Sequence, residues 1–272
     1  MDSQLTKILA STRRGVEERK AASSTRVLEQ AAAAHQPRGF ARALWQKAAS
    51  GPAVIAELKK ASPSRGLIRP DFDVATLAKG YADGGAAALS VLTDEPFFQG
   101  SLRNLDLASQ SCHLPCLRKD FMLDEFQLLE ARAHRADAIL LIAAALSNVQ
   151  LRTLAAQAHA LELDVLCEVH TGEELDRVLA LDCDAIGVNN RDLTTFSVRL
   201  QVSLDLASRL PSGAVHVSES GIETAEDLNR LRAAGFHAFL IGESLMRQQN
   251  PGAALETLLM AAATADRSPV SK

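Results

Sequence analysis

Two kinds of apolar pattern alternate along this chain. Short β-type runs, AVIAEL, AALSVL, PCLRKD, DAILLIA, DVLCEV, AIGVNN, AVHVSES and HAFLIG, each precede a stretch with apolar residues at three- and four-residue spacing, as in DVATLAKGYADGG, LDEFQLLEARAH and TAEDLNRLRAAG. Strand then helix, repeated eight times, predicts an α/β fold of the (β/α)8 TIM-barrel type. An open doubly wound sheet is the rival. It would usually carry a Gly-rich nucleotide loop after its first strand, and neither GxGxxG nor GxxxxGK[ST] occurs.

About fifty residues precede the first run and include LTKILASTRRGVEERKAA, TRVLEQAAAAH and ARALWQK, which predict an N-terminal helical extension, with QPRGF as a turn. Such an extension can cap the bottom of a barrel or fold over its mouth, and the pattern alone does not choose. Residues 1–272 are expected to form a single barrel domain, with residues 1–50 as the added helical segment. The polar tail ATADRSPVSK is expected to fray.

Composition acts mainly by exclusion. With 47% apolar, 23% charged and 4% aromatic residues and a formal net charge of -4, the chain reads as soluble and globular. It has no basic stripe, so a nucleic-acid partner is not expected. No segment reaches about 18 unbroken apolar residues, and MDSQLTKILASTRRGVEERK has no signal-peptide core, so a cytoplasmic protein without a membrane span is expected. Cys112, Cys116, Cys167 and Cys183 form no CxxC pair and lack histidines at zinc-ligand spacing. They read as reduced, mostly buried thiols.

The chemistry lies where the strands end. In a barrel the active site sits at the C-terminal ends of the strands, so polar residues there are informative. Ile55, Glu57 and Lys59 share one face of the first strand, which carries a carboxylate and an ammonium where an apolar surface would be expected. The third strand ends in Lys119, the fifth in Glu168, the sixth in Asn189 and Arg191, and the seventh in Glu219 and Ser220. Any one of these is as well explained by a solvated strand end or a structural ion pair; jointly they predict one polar mouth. In SESGIET and LIGESLM, Ser220, Gly221 and Gly242 allow backbone N–H groups to approach a phosphate, although glycines also make ordinary tight turns. Glu243 is awkward beside a dianion, and is expected to offer its N–H while its carboxylate points away. Ser62 and Lys59 in KKASPSRG suit the same anion.

The motifs IAELKKASPSRGLI, LSVLTDEPFFQGSL, LRKDFMLDEFQ, LCEVH, GVNNRDL, VSESGI and IGESLM, in that order from about Ala53 to Met246, resemble indole-3-glycerol phosphate synthase. The resemblance implies a monofunctional carboxy-lyase of tryptophan biosynthesis. Its substrate would be 1-(2-carboxyphenylamino)-1-deoxyribulose 5-phosphate, which undergoes ring closure, decarboxylation and dehydration with no cofactor and no metal. It implies Lys119 as general acid and Glu168 as general base, with Glu57 and Lys59 sharing the second step or holding the substrate. Asn189 and Glu219 match positions that hold hydroxyls and the anilino nitrogen. Arg191 can meet a carboxylate, and Phe98, Phe121 and Leu140 surround the anthranilate ring. His170 is assigned a structural role, since no orienting group is evident beside it. Two other readings are weighed. One is a related phosphate-binding barrel, a phosphoribosyl-anthranilate isomerase or tryptophan synthase α subunit; the other is a non-catalytic barrel that binds a phosphorylated ligand. The oligomeric state is not legible.

Overall fold

The structure is a computed structural model that describes residues 4–193 and 195–265. The end of the polar tail, residues 266–272, lies outside them. Strands β1 (Ala53–Leu58), β2 (Ala88–Leu92), β3 (Cys116–Lys119), β4 (Ala138–Ile142), β5 (Asp164–Val169), β6 (Ala185–Asn189), β7 (Val215–Glu219) and β8 (Ala238–Ile241) all pair in parallel and close into a barrel, β8 beside β1. This is the predicted α/β architecture, a (β/α)8 TIM barrel with an N-terminal helical extension. A small antiparallel hairpin, Ala61–Ser62 with Gly66–Leu67, follows β1.

The two faces of each strand serve different cores. Val54, Ala56 and Leu58 point outward and pack under the helices, whereas Ala53 and Ile55 point into the barrel. Inside, Ala53, Ala88, Ala138, Ala185 and Ala238 are small enough to leave space at the bottom. Helix α3 (Phe40–Ala48) fills it with Phe40 and Leu44, both fully buried, each worth roughly 1.5–3 kcal/mol.

Polar side chains cap the start of most of the helices that follow the strands. The helices are α4 (Val74–Asp83), the short α5 (Glu95–Phe98), α6 (Leu102–Ser111), α7 (Glu125–Ala133), α8 (Asn148–Ala160), α9 (Gly172–Val178), α10 (Gln201–Leu206), α11 (Ala225–Ala233), the short α12 (Glu243–Met246) and α13 (Pro251–Ala265). Asp124 with Gln127, Ser147 with Gln150 and Thr224 with Asp227 form capping boxes, each cap contributing about 1 kcal/mol. None of the described helices is long and apolar enough to cross a membrane.

The extension does both things left open by its sequence. While α3 plugs the bottom, α1 (Gln4–Ala22) lies over the mouth, where Gln4, Leu5 and Ile8 line the cavity. Its far end is pinned to α7 by Arg19, whose guanidinium meets Glu130 at 2.7 and 3.2 Å, and by Lys20 on Asp124 at 2.9 Å. Between them, α2 (Thr25–Ala33) ends where Arg132 caps the carbonyls of Ala32 and His35.

The cysteine expectation needs correction at one pair. Cys167 on β5 and Cys183, just before the adjacent strand β6, form a disulfide with a Cα–Cα distance of 6.4 Å. Helix α9 separates them in sequence, and only the closing of the parallel pair brings them together. Cys112 and Cys116 are free, and Cys116 is buried as expected.

Candidate active site

A cavity of about 610 Å³ occupies the barrel mouth, large enough for a ligand of a few hundred daltons. All the predicted site residues line it: Glu57, Lys59, Ser62, Phe98, Lys119, Phe121, Leu140, Glu168, Asn189, Arg191, Glu219, Ser220, Gly221, Gly242 and Glu243. The strand period explains the convergence, because each polar side chain sits on the inward face one or two residues above the apolar interior. Leu140 bridges the two zones, belonging to the barrel core and to the cavity wall.

The floor is an alternation of charge. Lys59 Nζ donates to Glu57 Oε1 at 2.5 Å, and Lys119 Nζ donates to Glu168 Oε2 at 3.2 Å. Glu57 also accepts from buried Ser90, its register partner on β2, at 3.4 Å. Burial alone would raise Glu57, but Lys59 and Lys119 hold it below the usual carboxylate range. Burial likewise opposes charge on Lys119, yet Glu168, Glu219 and Glu57 together push it well above the ordinary lysine value. Glu168 is held far down, its burial outweighed by Lys119 and His170. Glu219 goes the other way. Burial and the neighbouring Glu168 raise it to about 8, and its Oε1 is enclosed without a hydrogen-bond partner. The mouth therefore holds ionised and proton-bearing carboxyls side by side, the divergence that acid–base work requires.

Two glycines make this crowding sterically possible. A Cβ at Gly187 on β6 would stand 2.1 Å from Glu219 Oε1, and one at Gly242 would stand 2.4 Å from Glu57 Oε1. Gly242 was expected to favour a phosphate; the structure adds room for Glu57. Gly187 gave no signal in sequence, where it reads as a weak point in a strand.

On the outward side of β3, Arg118 is almost wholly buried. It donates to Gln127 O at 2.9 Å, to Asp120 at 3.1 Å and to Glu130 at 2.9 Å, so the strand carrying Lys119 is locked to α7. Glu130 is also the carboxylate that holds α1. Opposite, the Glu243 carboxylate meets Arg65 at 3.0 Å and Arg191 and Arg247 at 3.7 Å. Ser220 and Gly221 adopt left-handed backbone, with φ of 67° and 80°.

Sequence reasoning missed the α1 contribution, because Leu5 and Ile8 look like any apolar face of a helix, and Arg65, whose role depends on the hairpin that folds it back. It also overlooked the neighbour of His170. An orienting group does exist: Glu174, one helical turn on, accepts from the His170 backbone N–H at 2.7 Å and faces its Nδ1 at 3.2 Å.

The family model for indole-3-glycerol phosphate synthase matches residues 5–258. An indole-3-glycerol phosphate synthase of Koribacter versatilis (strain Ellin345) is 58% identical over 259 residues, 95% of this chain and all of that one. Another, from Chromobacterium violaceum, is 53% identical over 225 residues, covering 82% and 85% of the two chains. Among solved structures, 3-hexulose-6-phosphate synthase from Salmonella typhimurium aligns with a TM-score of 0.62 at 11% identity, over 78% of this chain and 99% of its own. The N-acetylmannosamine-6-phosphate 2-epimerase from Clostridium perfringens gives 0.58 at 15%, over 73% and 90%. At such identities the two structures speak to the fold alone. The matched family and the two close relatives show that this chain belongs to the indole-3-glycerol phosphate synthase family, the carboxy-lyases of tryptophan biosynthesis.

Proposed function

We propose that the mouth cavity binds 1-(2-carboxyphenylamino)-1-deoxyribulose 5-phosphate and turns it into indole-3-glycerol phosphate by general acid–base catalysis. The observation that carries this reading is the pairing of Lys119 with Glu168 at 3.2 Å on the floor of the cavity. A charged lysine there donates its proton to the ketone oxygen as the carboxyl-bearing ring carbon attacks. Carbon dioxide then leaves, and its bonding electrons restore the aromatic ring. In the final step Glu168 accepts the proton lost from the new ring, while the hydroxyl departs as water with a proton from the Glu57–Lys59 pair.

The remaining roles follow from chemistry and position. Phe98, Phe121 and Leu140 offer apolar contact to the anthranilate ring. Asn189 and Glu219 hold hydroxyls and the anilino nitrogen, and Arg191 meets the carboxylate with its planar fork. The backbone N–H groups of Ser220, Gly221, Gly242 and Glu243 receive the phosphate, with Ser62 beside them. The same reading makes residues 1–272 one domain. It also assigns the protein to the cytoplasm, where a phosphorylated biosynthetic intermediate is retained by its charge.

The test is to mix purified protein with the carboxyphenylamino-deoxyribulose phosphate and follow indole fluorescence. A catalytic rise that disappears in Lys119→Ala is expected. A flat trace with ligand binding retained would replace this reading with that of a binding barrel.

A further inference from the structure

His170 lies immediately beyond β5 and is not among the residues lining the cavity. Its ring is wedged between carboxylates: Nε2 stands 3.3 Å from Glu168 Oε1 and Nδ1 stands 3.2 Å from Glu174 Oε2. The first is an ion-pair distance rather than an aligned hydrogen bond. A carboxylate oxygen only accepts, so an imidazole facing carboxylates through both nitrogens is best satisfied with a proton on each. Burial would drive His170 down, but Glu168 and Glu174 raise it to about 10. Glu174 is itself fixed, since its backbone N–H is capped by Thr171 Oγ1 at 3.2 Å and its carboxylate also holds the His170 backbone.

Glu168 therefore has a separate cation on each oxygen, Lys119 on Oε2 and His170 on Oε1. This matters because one of the cations is consumed. If Lys119 gives its proton to the ketone, it becomes a neutral amine, and a buried Glu168 with no other cation would be driven to take up a proton. It would then be unable to accept one in the dehydration. We propose that His170 is a positioning residue, held as an imidazolium by Glu174, that keeps Glu168 ionised and aimed into the mouth while Lys119 is discharged. His170 thereby separates the two proton transfers: Lys119 gives its proton to the ketone oxygen, and Glu168 takes a different one later. The proposal rests on the base role assigned to Glu168 above.

The groups surrounding this pair bound what a pH profile can report. Glu168 faces Lys119 of β3, Asn189 of β6, Glu219 of β7 and, across the mouth, Glu57 of β1. His170 faces Glu168 and Glu174. Arg177 of α9 is occupied by the carbonyls of Ala143 and Leu146, and the turn Ala143–Ala145 packed against α9 carries no ionisable side chain.

The experiment compares His170→Gln, Glu174→Gln and Glu168→Gln in steady-state kinetics across pH, with thermal melts to confirm folding. For His170→Gln, kcat is expected to fall about tenfold or more with KM nearly unchanged. The acidic limb of its kcat profile should move upward by about one pH unit, because Glu168 has lost a cation. Glu174→Gln should shift the same limb in the same direction by less, and carries the test if His170→Gln does not fold. A wild-type acidic limb in the folded variants, with only the melting temperature changed, would make His170 structural and overturn the proposal. Near-normal turnover in Glu168→Gln would instead overturn the base assignment and this proposal with it.

Discussion

Asp137 at the bottom of the barrel and Glu219 in its mouth are both enclosed by protein, and only the first has both its oxygens satisfied. Asp137 sits just before β4 and accepts from the Arg38 backbone at 2.7 Å, the Arg38 guanidinium at 2.6 Å and the Cys116 backbone at 2.6 Å, with His35 at 3.2 Å. Glu219 ends β7 with Oε1 unpartnered. The difference separates two uses of a buried carboxylate. A saturated one ties segments together, here the turn before α3 to β3 and β4. An unsaturated one keeps a desolvation cost that a substrate hydroxyl or N–H can relieve.

The widest gap between the two ends should appear on comparing Glu57→Gln with Asp137→Asn. Glu57→Gln is expected to lower kcat about 10²–10⁴-fold while stability stays within about 1 kcal/mol, since other carboxylates remain near the lysines. Asp137→Asn is expected to cost about 3–5 kcal/mol in denaturant melts and leave kcat per folded molecule unchanged. Equal destabilisation by both would erase the distinction. A narrower probe is Gly187→Ala, whose methyl would press on Glu219. Turnover should fall about a hundredfold, the cost of displacing a site group by roughly an ångström, and kinetics beside a normal melt would register it.

The pH dependence of stability sharpens the contrast. Glu219 has its folded value raised from 4.5 to about 8, so the folded state binds the extra proton. Its contribution is complete below about 4.5 and is lost as pH rises through about 8. Asp137 is lowered from 3.8 because Arg38 and His35 outweigh its burial, so its contribution is present above that value and lost as pH falls through the folded one. Glu219→Gln should therefore flatten the decline in denaturant midpoints between about pH 4.5 and 8 and leave the decline at lower pH unchanged. The smallest effect is expected from Arg19→Ala, which unpins the roof without touching the cavity floor. A few-fold rise in KM with little change in kcat would match the ~1 kcal/mol of a half-exposed ion pair, and a loss confined to kcat would argue against α1 as a cover.

The barrel was legible because its apolar runs have the strand period and the segments between them have the helical one. Glu57, Lys119, Glu168, Asn189 and Glu219 were legible because each is polar where an inward-facing position should be apolar. What stayed hidden depends on closure. Arg118 reads as a second charge beside Lys119, and only the return of α7 supplies the buried Glu130 that explains it. Cys167 and Cys183 meet across neighbouring strands, and Gly187 takes its meaning from a glutamate on the next strand. His170 and Glu174 are only four residues apart, but the direction of the turn between them is not given by the residue pattern.

The extension touches both ends of the barrel, with α3 inside the bottom and α1 across the top. It is therefore not a detachable module. A gene fragment begun at Ala53, the natural cut for grafting this barrel onto another protein, would discard plug and roof in one stroke. It would open the alanine-lined interior to water and leave the substrate cleft uncovered. Domain-swapping experiments with this fold should take the chain from α1 onward or supply substitutes for both pieces.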